Sequence, residues 1–150
     1  MKGGKWPAAM AVEEYRQLDL LKGKRQKGKL PPEPLEFETQ CALVRLLCYS
    51  ADPEWWWTAF PSGELRTAAT GGRLKAMGLR PGMADLVFIS PNGQFWGLEL
   101  KARGGRLSDS QEAFRHWCHR HGIAYAVADS YDAAVAVLVA WGVLKTEVGT

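Results

Sequence analysis

Gly82-Met83-Ala84-Asp85-Leu86-Val87-Phe88-Ile89-Ser90-Pro91-Asn92-Gly93-Gln94-Phe95-Trp96-Gly97-Leu98-Glu99-Leu100-Lys101 reads as a hairpin that carries charge where a core is expected. Leu86 to Ile89 is a buried-strand run, Pro91-Asn92-Gly93 is a turn signal, and Phe95 to Lys101 is the returning strand. Side chains alternate along a strand, so Trp96, Leu98 and Leu100 share one face and read as core. Glu99 and Lys101 share the other, roughly 7 Å apart. A carboxylate and an ammonium inside a core-pattern strand break the local rule, and such breaks concentrate at functional sites.

Asp85 opens the first strand and Glu99 falls late in the second. In an antiparallel pair these ends meet, so both carboxylates reach one point. Hard divalent cations such as Mg²⁺ take oxygen ligands, often one or two carboxylates with waters and phosphate. The carbonyl of Leu100 offers another oxygen. Lys101 beside such a centre would orient or deprotonate a water, or stabilise charge developing on phosphorus. The chemistry implied is metal-assisted phosphodiester hydrolysis. A bare Glu-x-Lys also fits an ion pair on a solvated sheet face, and a lone Asp at a strand start fits a turn acceptor.

The flanks tilt the balance. Ser108 is a good helix N-cap and Gln111 stands three residues on, which makes a capping box. Gln111, Phe114 and Cys118 also share the helix's apolar side, where an amide can reach a carboxylate or a phosphate. Upstream, a helix follows the Pro31-Pro32-Glu33-Pro34 break. Within it Glu38 shares a face with Ala42, while Gln40, Leu43, Val44 and Leu47 share another. A first-turn Glu is also an ordinary helix-dipole partner.

In this order the elements resemble the VRR-NUC family, the virus-type replication and repair nucleases of the PD-(D/E)xK superfamily. They are Glu38-Thr39-Gln40, Gly82-Met83-Ala84-Asp85, Glu99-Leu100-Lys101 and Gly105 to Gln111. The lead-in Lys75 to Gly82 is similar too, as is Phe60-Pro61-Ser62-Gly63 followed by Arg66. The resemblance covers roughly residues 36–140. It implies an α/β, restriction-endonuclease-like core: a helix, three antiparallel strands, a helix and a final strand, with a C-terminal helix. It implies Mg²⁺- or Mn²⁺-dependent endonucleolytic cleavage of DNA in replication, recombination or repair. The stand-alone members resemble Holliday-junction-resolving enzymes. Asp85 and Glu99 become metal ligands with the Leu100 carbonyl, Lys101 the catalytic lysine, Glu38 a helical carboxylate and further candidate ligand, and Gln111 a supporting group. Ala84 stands where the family pattern usually has Pro, which removes a rigid turn but no ligand. The alternatives are a flap or nicking nuclease of the same fold, and a DNA-binding module without chemistry.

At 150 residues and 47% hydrophobic content the chain suits one globular domain. No run of 18 apolar residues predicts a membrane span. Cys41, Cys48 and Cys118 lie in apolar helical patterns without a C-x-x-C, which fits a reduced, cytoplasmic setting. The resemblance adds a prokaryotic or phage origin. His116, Cys118, His119 and His121 crowd one helix without sharing a face, and read as a basic surface more readily than as a zinc site. The net charge of +3 is uneven: eight Lys or Arg against three acids give residues 1–30 a charge of +5, leaving −2 elsewhere. The organisation expected is a basic arm over 1–30, with a possible short helix, and a nuclease domain over 31–150. Lys22, Lys24, Arg25, Lys27 and Lys29 form a tether suited to phosphate contacts without sequence preference. Arg66, Arg73 and Lys75 fall between the first strand and Asp85, where they can flank a cleft and hold phosphates. Trp55 to Phe60 suits the first strand, with at least one Trp on a surface. Ile123 to Ala128 suits a fourth strand, and Tyr131 to Val139 a last helix capped by Asp129 or Ser130. One site per chain and two strands to cut predict a homodimer.

Overall fold

The structure, a computed structural model, describes residues 35–60 and 68–145. The basic arm and Arg66 lie outside the described residues. Chain order is α1 (Leu35–Ser50), β1 (Trp56–Ala59), α2 (Ala68–Ala76), β2 (Leu86–Ile89), β3 (Phe95–Leu100), α3 (Asp109–Arg120), β4 (Ala124–Ala128) and α4 (Tyr131–Ala140). The four strands form one sheet in the order β1-β2-β3-β4. The first three are antiparallel neighbours, and β4 joins β3 in parallel after the α3 crossover. This is the α/β arrangement the motif order implies.

The hairpin forms as its turn residues dictate. Gly93 takes a φ of 81°, which a residue with a Cβ rarely adopts. Its N–H donates to Ser90 O at 2.8 Å, and Ser90 N–H donates to Gln94 O at 2.9 Å. The register then pairs Leu86 with Leu98 and Phe88 with Trp96. On that face Leu86, Phe88, Leu98 and Leu100 meet Leu43 and Leu47 of α1, Ala134 and Leu138 of α4, and the closing residues Val143 and Leu144. Leu144 bridges back to Ala51, tying the segment after α4 to the end of α1. The tryptophan run divides by pleat. Trp55 meets Trp96 edge-on at 5.4 Å, and Trp57 lies against the aliphatic core. Trp56 points away and is 58% exposed.

On the opposite face α3 covers β4 and neighbouring β3. Ala84, Val87, Cys118 and Tyr125 form a smaller cluster there, with Met83, Phe95, Phe114 and Ile123 against it. Ser108 caps α3 and Ser130 caps α4, each accepting from a backbone N–H three residues on. The helix α2 has no counterpart in the sequence reading. Gly71 and Gly72 lie inside it and weaken its helical pattern.

Candidate active site

The α3-side face carries the charges. Continuing the β2–β3 register one pair beyond Leu86–Leu98 sets Asp85 opposite Glu99. Asp85 is fixed twice: its carbonyl accepts from Phe60 N–H, and its Oδ2 accepts from Leu100 N–H, both at 2.8 Å. Glu99 is fully buried. Its Oε1 accepts from Gln111 Nε2 and lies 3.1 Å from Lys101 Nζ, whose side chain is 15% exposed. The Glu99–Lys101 ion pair therefore exists, but at the base of the sheet rather than on a solvated face.

Gln111 does both jobs open to it from the sequence. Its Oε1 accepts from Ser108 N–H at 2.8 Å and its backbone N–H donates to Ser108 Oγ, completing the capping box. Its amide nitrogen is left to hold Glu99. The first turn of α3 is keyed to the hairpin by Gly82, whose φ is +97°. A Cβ there would stand 2.3 Å from Ser110 O. Ala84, which replaces the Pro usual in the family pattern, is fully buried in the same layer.

Glu38 does not reach this site. It is exposed on α1, with no hydrogen bond or ion pair among the described residues. Glu36 is the α1 carboxylate at the end of β3: its Oε1 accepts from Ala102 N–H at 2.9 Å, next to Lys101. The reason is helical phase. Leu43 and Leu47 face the core, and seven and eleven residues before them in turn the same stripe passes through Glu36. Glu38 falls off it. Arg73 and Lys75 are exposed on α2. On α3, Cys118 is buried, while His121 stacks on Trp117 at 4.3 Å and its Nδ1 lies 2.8 Å from Trp117 O.

The electrostatics favour a cation. Burial first, and then the charge of Asp85, push the Glu99 carboxyl up to about 7, with Lys101 opposing. Gln111 and Lys101 take Oε1, and Oε2 is buried with no hydrogen-bond partner among the described residues. An unpartnered carboxylate oxygen beside a second carboxylate is costly unless a positive charge completes it. Two carboxylates offer oxygen donors, which suit a hard divalent ion. No group of three or more His, Cys, Asp or Glu side chains placed to hold a metal exists among the described residues. Carbonyl, water or phosphate oxygens would have to complete the coordination.

Comparison with known proteins found two similarities. Residues 64–132 match the family model of the VRR-NUC domain. That span contains Asp85, Glu99, Lys101 and Gln111, and leaves out α1. A solved structure described as a VRR_NUC domain aligns at 18% identity and a TM-score of 0.49, over 71% of this chain and 96% of that one. No curated protein matches.

Proposed function

We propose that this chain, similar to the VRR-NUC domain over residues 64–132, is a metal-dependent DNA endonuclease. A VRR-NUC domain implies a nuclease-type function. The observation that carries the finer reading is the buried Oε2 of Glu99, without a hydrogen-bond partner among the described residues, beside Asp85 and Lys101. Asp85, Glu99 and the Leu100 carbonyl would hold Mg²⁺ or Mn²⁺. The ion, when bound, would polarise the scissile phosphate and lower the pKa of a water.

The chain's own residues do the rest. Gln111 holds Glu99 from the capped start of α3, so the carboxylate is oriented before substrate arrives. Lys101 keeps its ammonium at the partly open edge of the site. There it can orient the attacking water and stabilise the negative charge that develops on the phosphate oxygens. Glu36 pins Ala102 N–H, which steadies the backbone just beyond Lys101. Arg66, Arg73, Lys75 and the basic residues of the 22–29 tether would supply phosphate contacts whose strength falls with salt. A homodimer would place two sites on a branched substrate, in the manner of a junction resolvase.

The test is cleavage of labelled four-way junction, flap, nicked and linear DNA in Mg²⁺, Mn²⁺ or EDTA, with Glu99→Ala alongside. Metal-dependent cutting that disappears in the variant is the expected result. A preference for the junction would support the resolvase form, and a preference for flaps or nicks the other nuclease form. DNA binding without cutting in either metal would make the chain a binding module.

A further inference from the structure

The exposed tryptophan of β1 has no part in that chemistry, yet it stands on the same face of the sheet as the carboxylates. The β1–β2 register pairs Trp56 with Ile89 and Thr58 with Val87. Two residues further on, Phe60 N–H donates to Asp85 O. Side chains alternate along each strand, so Trp56, Ile89, Val87 and Asp85 all leave on the α3 side. The helix α3 lies over the β4 side of that face. Its β1 side is open, with Trp56 58% and Ile89 41% exposed. Phe95 continues the row beside Ile89 and is held edge-on by Phe114 at 6.4 Å.

Four residues of strand separate Ile89 from Asp85, roughly 13 Å. That is about four steps of a stacked DNA strand. A strand whose phosphate reaches Asp85 and Glu99 can therefore lay a nearby nucleotide on Trp56. The chemistry of the spot selects which part of the nucleotide binds. Neither β1 nor β2 carries a charged residue, so nothing on them neutralises a phosphate. An indole face stacks on any base. A base within a continuous duplex has both faces covered by its neighbours, so only an unpaired or extruded one is available. A protein partner would need about 800 Å² of surface. An interface of that area centred on Trp56 would reach Asp85 and bar the substrate, which leaves the substrate strand as the occupant.

We infer that Trp56 is a substrate-binding residue, its exposed indole stacking on an unpaired base of the DNA strand whose phosphate lies at Asp85 and Glu99. Ile89 extends the apolar platform beside it. This assignment rests on the nuclease reading of the site and narrows its substrate class. The preferred DNA carries unpaired nucleotides within about four steps of the scissile bond, as in a flap, a gap or an opened branch point. The tryptophan run then has two duties: Trp55 and Trp57 pack, and Trp56 meets substrate.

The experiment compares wild type, Trp56→Ala and Trp56→Phe in the full chain. Binding is measured in EDTA, which stops metal-dependent cutting, on a flapped DNA and on a continuous duplex of equal length. The flap carries 2-aminopurine, whose fluorescence is quenched by stacking. Sedimentation reports the oligomeric state, and cleavage is followed separately in Mn²⁺. Trp56→Ala should weaken flap binding about five- to a hundredfold. It should leave duplex binding and the salt slope as in wild type, since no phosphate contact is lost. Trp56→Phe should keep most of the affinity and the quenching. Unquenched 2-aminopurine in the bound wild type would by itself overturn the assignment. So would equal flap affinity in wild type and Trp56→Ala, or an equal loss on the continuous duplex. A changed oligomeric state in Trp56→Ala with quenching intact would overturn it by making the patch a contact between copies. Trp56-dependent quenching without cutting in Mn²⁺ would uphold the stacking and overturn the nuclease reading alone. A wild type that binds neither DNA would overturn both.

Discussion

On one side of the sheet, Leu86, Phe88, Leu98 and Leu100 meet α1 and α4 through side chains that, but for the rim tryptophans, carry no polar atoms. On the other side, the same two strands present Val87, Gly97, Asp85 and Glu99 to α3, in a cluster less than half as populous. The pleat separates the two by a single residue, so Leu98 and Glu99 are neighbours in sequence with opposite duties. The aliphatic face gains stability from apolar area removed from water. The α3 face gives some of that up: it buries the Glu99 carboxylate beside the half-buried Asp85, and a phenol without a hydrogen-bond partner among the described residues. A domain can hold a site of this kind when another part of its core supplies the stability, and here that part lies one side chain away.

Substitutions should divide along the same line. Leu98→Ala removes a fully buried side chain between the sheet and two helices. It should cost about 2–5 kcal/mol in denaturant unfolding, with activity lost only as the protein unfolds. A cost below about 1 kcal/mol would show that the aliphatic face is not the main store of stability.

The Glu99 carboxyl gives the second prediction, and its sign is opposite. Its folded value of about 7 lies above the ordinary 4.5. The folded state thus binds a proton more tightly than the unfolded one. The associated stability is present below pH 4.5 and is lost as pH rises to about 7. In metal-free protein the fall should approach 3 kcal/mol at most. Glu99→Gln should flatten that part of the pH–stability curve. A slope identical in the variant would assign it to another group.

Gly82→Ala falls between the two faces. Its new Cβ would press on the backbone of Ser110 in a left-handed conformation that alanine disfavours. A loss of roughly 2 kcal/mol is expected, together with weaker metal-dependent cleavage, because α3 and Gln111 must shift. Full activity at normal stability would show that the keying of α3 to the hairpin is dispensable.

Much of this was legible in the sequence because the deciding signals are local. The hairpin announces itself through its turn and alternation, the helix starts through Ser108 and Ser130, and the convergence of Asp85 and Glu99 follows from antiparallel pairing. Gln111 was legible in both its roles, since capping and helical phase are short-range properties. Glu36 carries no such local signal. The core stripe through Leu43 and Leu47, followed back to the start of α1, leads to it, whereas the motif points to Glu38. The helix α2 was hidden by Gly71 and Gly72. Tyr125 looked like any strand aromatic. Its hydroxyl stands out only when β3, β4 and α3 are assembled, because the lack of a partner is a tertiary property.

The central claim is that the α3 face carries a carboxylate pair built for a cation. The most direct measurement is the thermal midpoint of wild type and Glu99→Gln at pH 8, each in EDTA and in saturating Mn²⁺. A ligand at a hundred times its Kd stabilises the folded state by about 2.7 kcal/mol. Mn²⁺ should raise the wild-type midpoint by several degrees. Glu99→Gln should be at least as stable as wild type in EDTA and gain nothing from Mn²⁺. An equal rise in both proteins, or none in wild type, would contradict it.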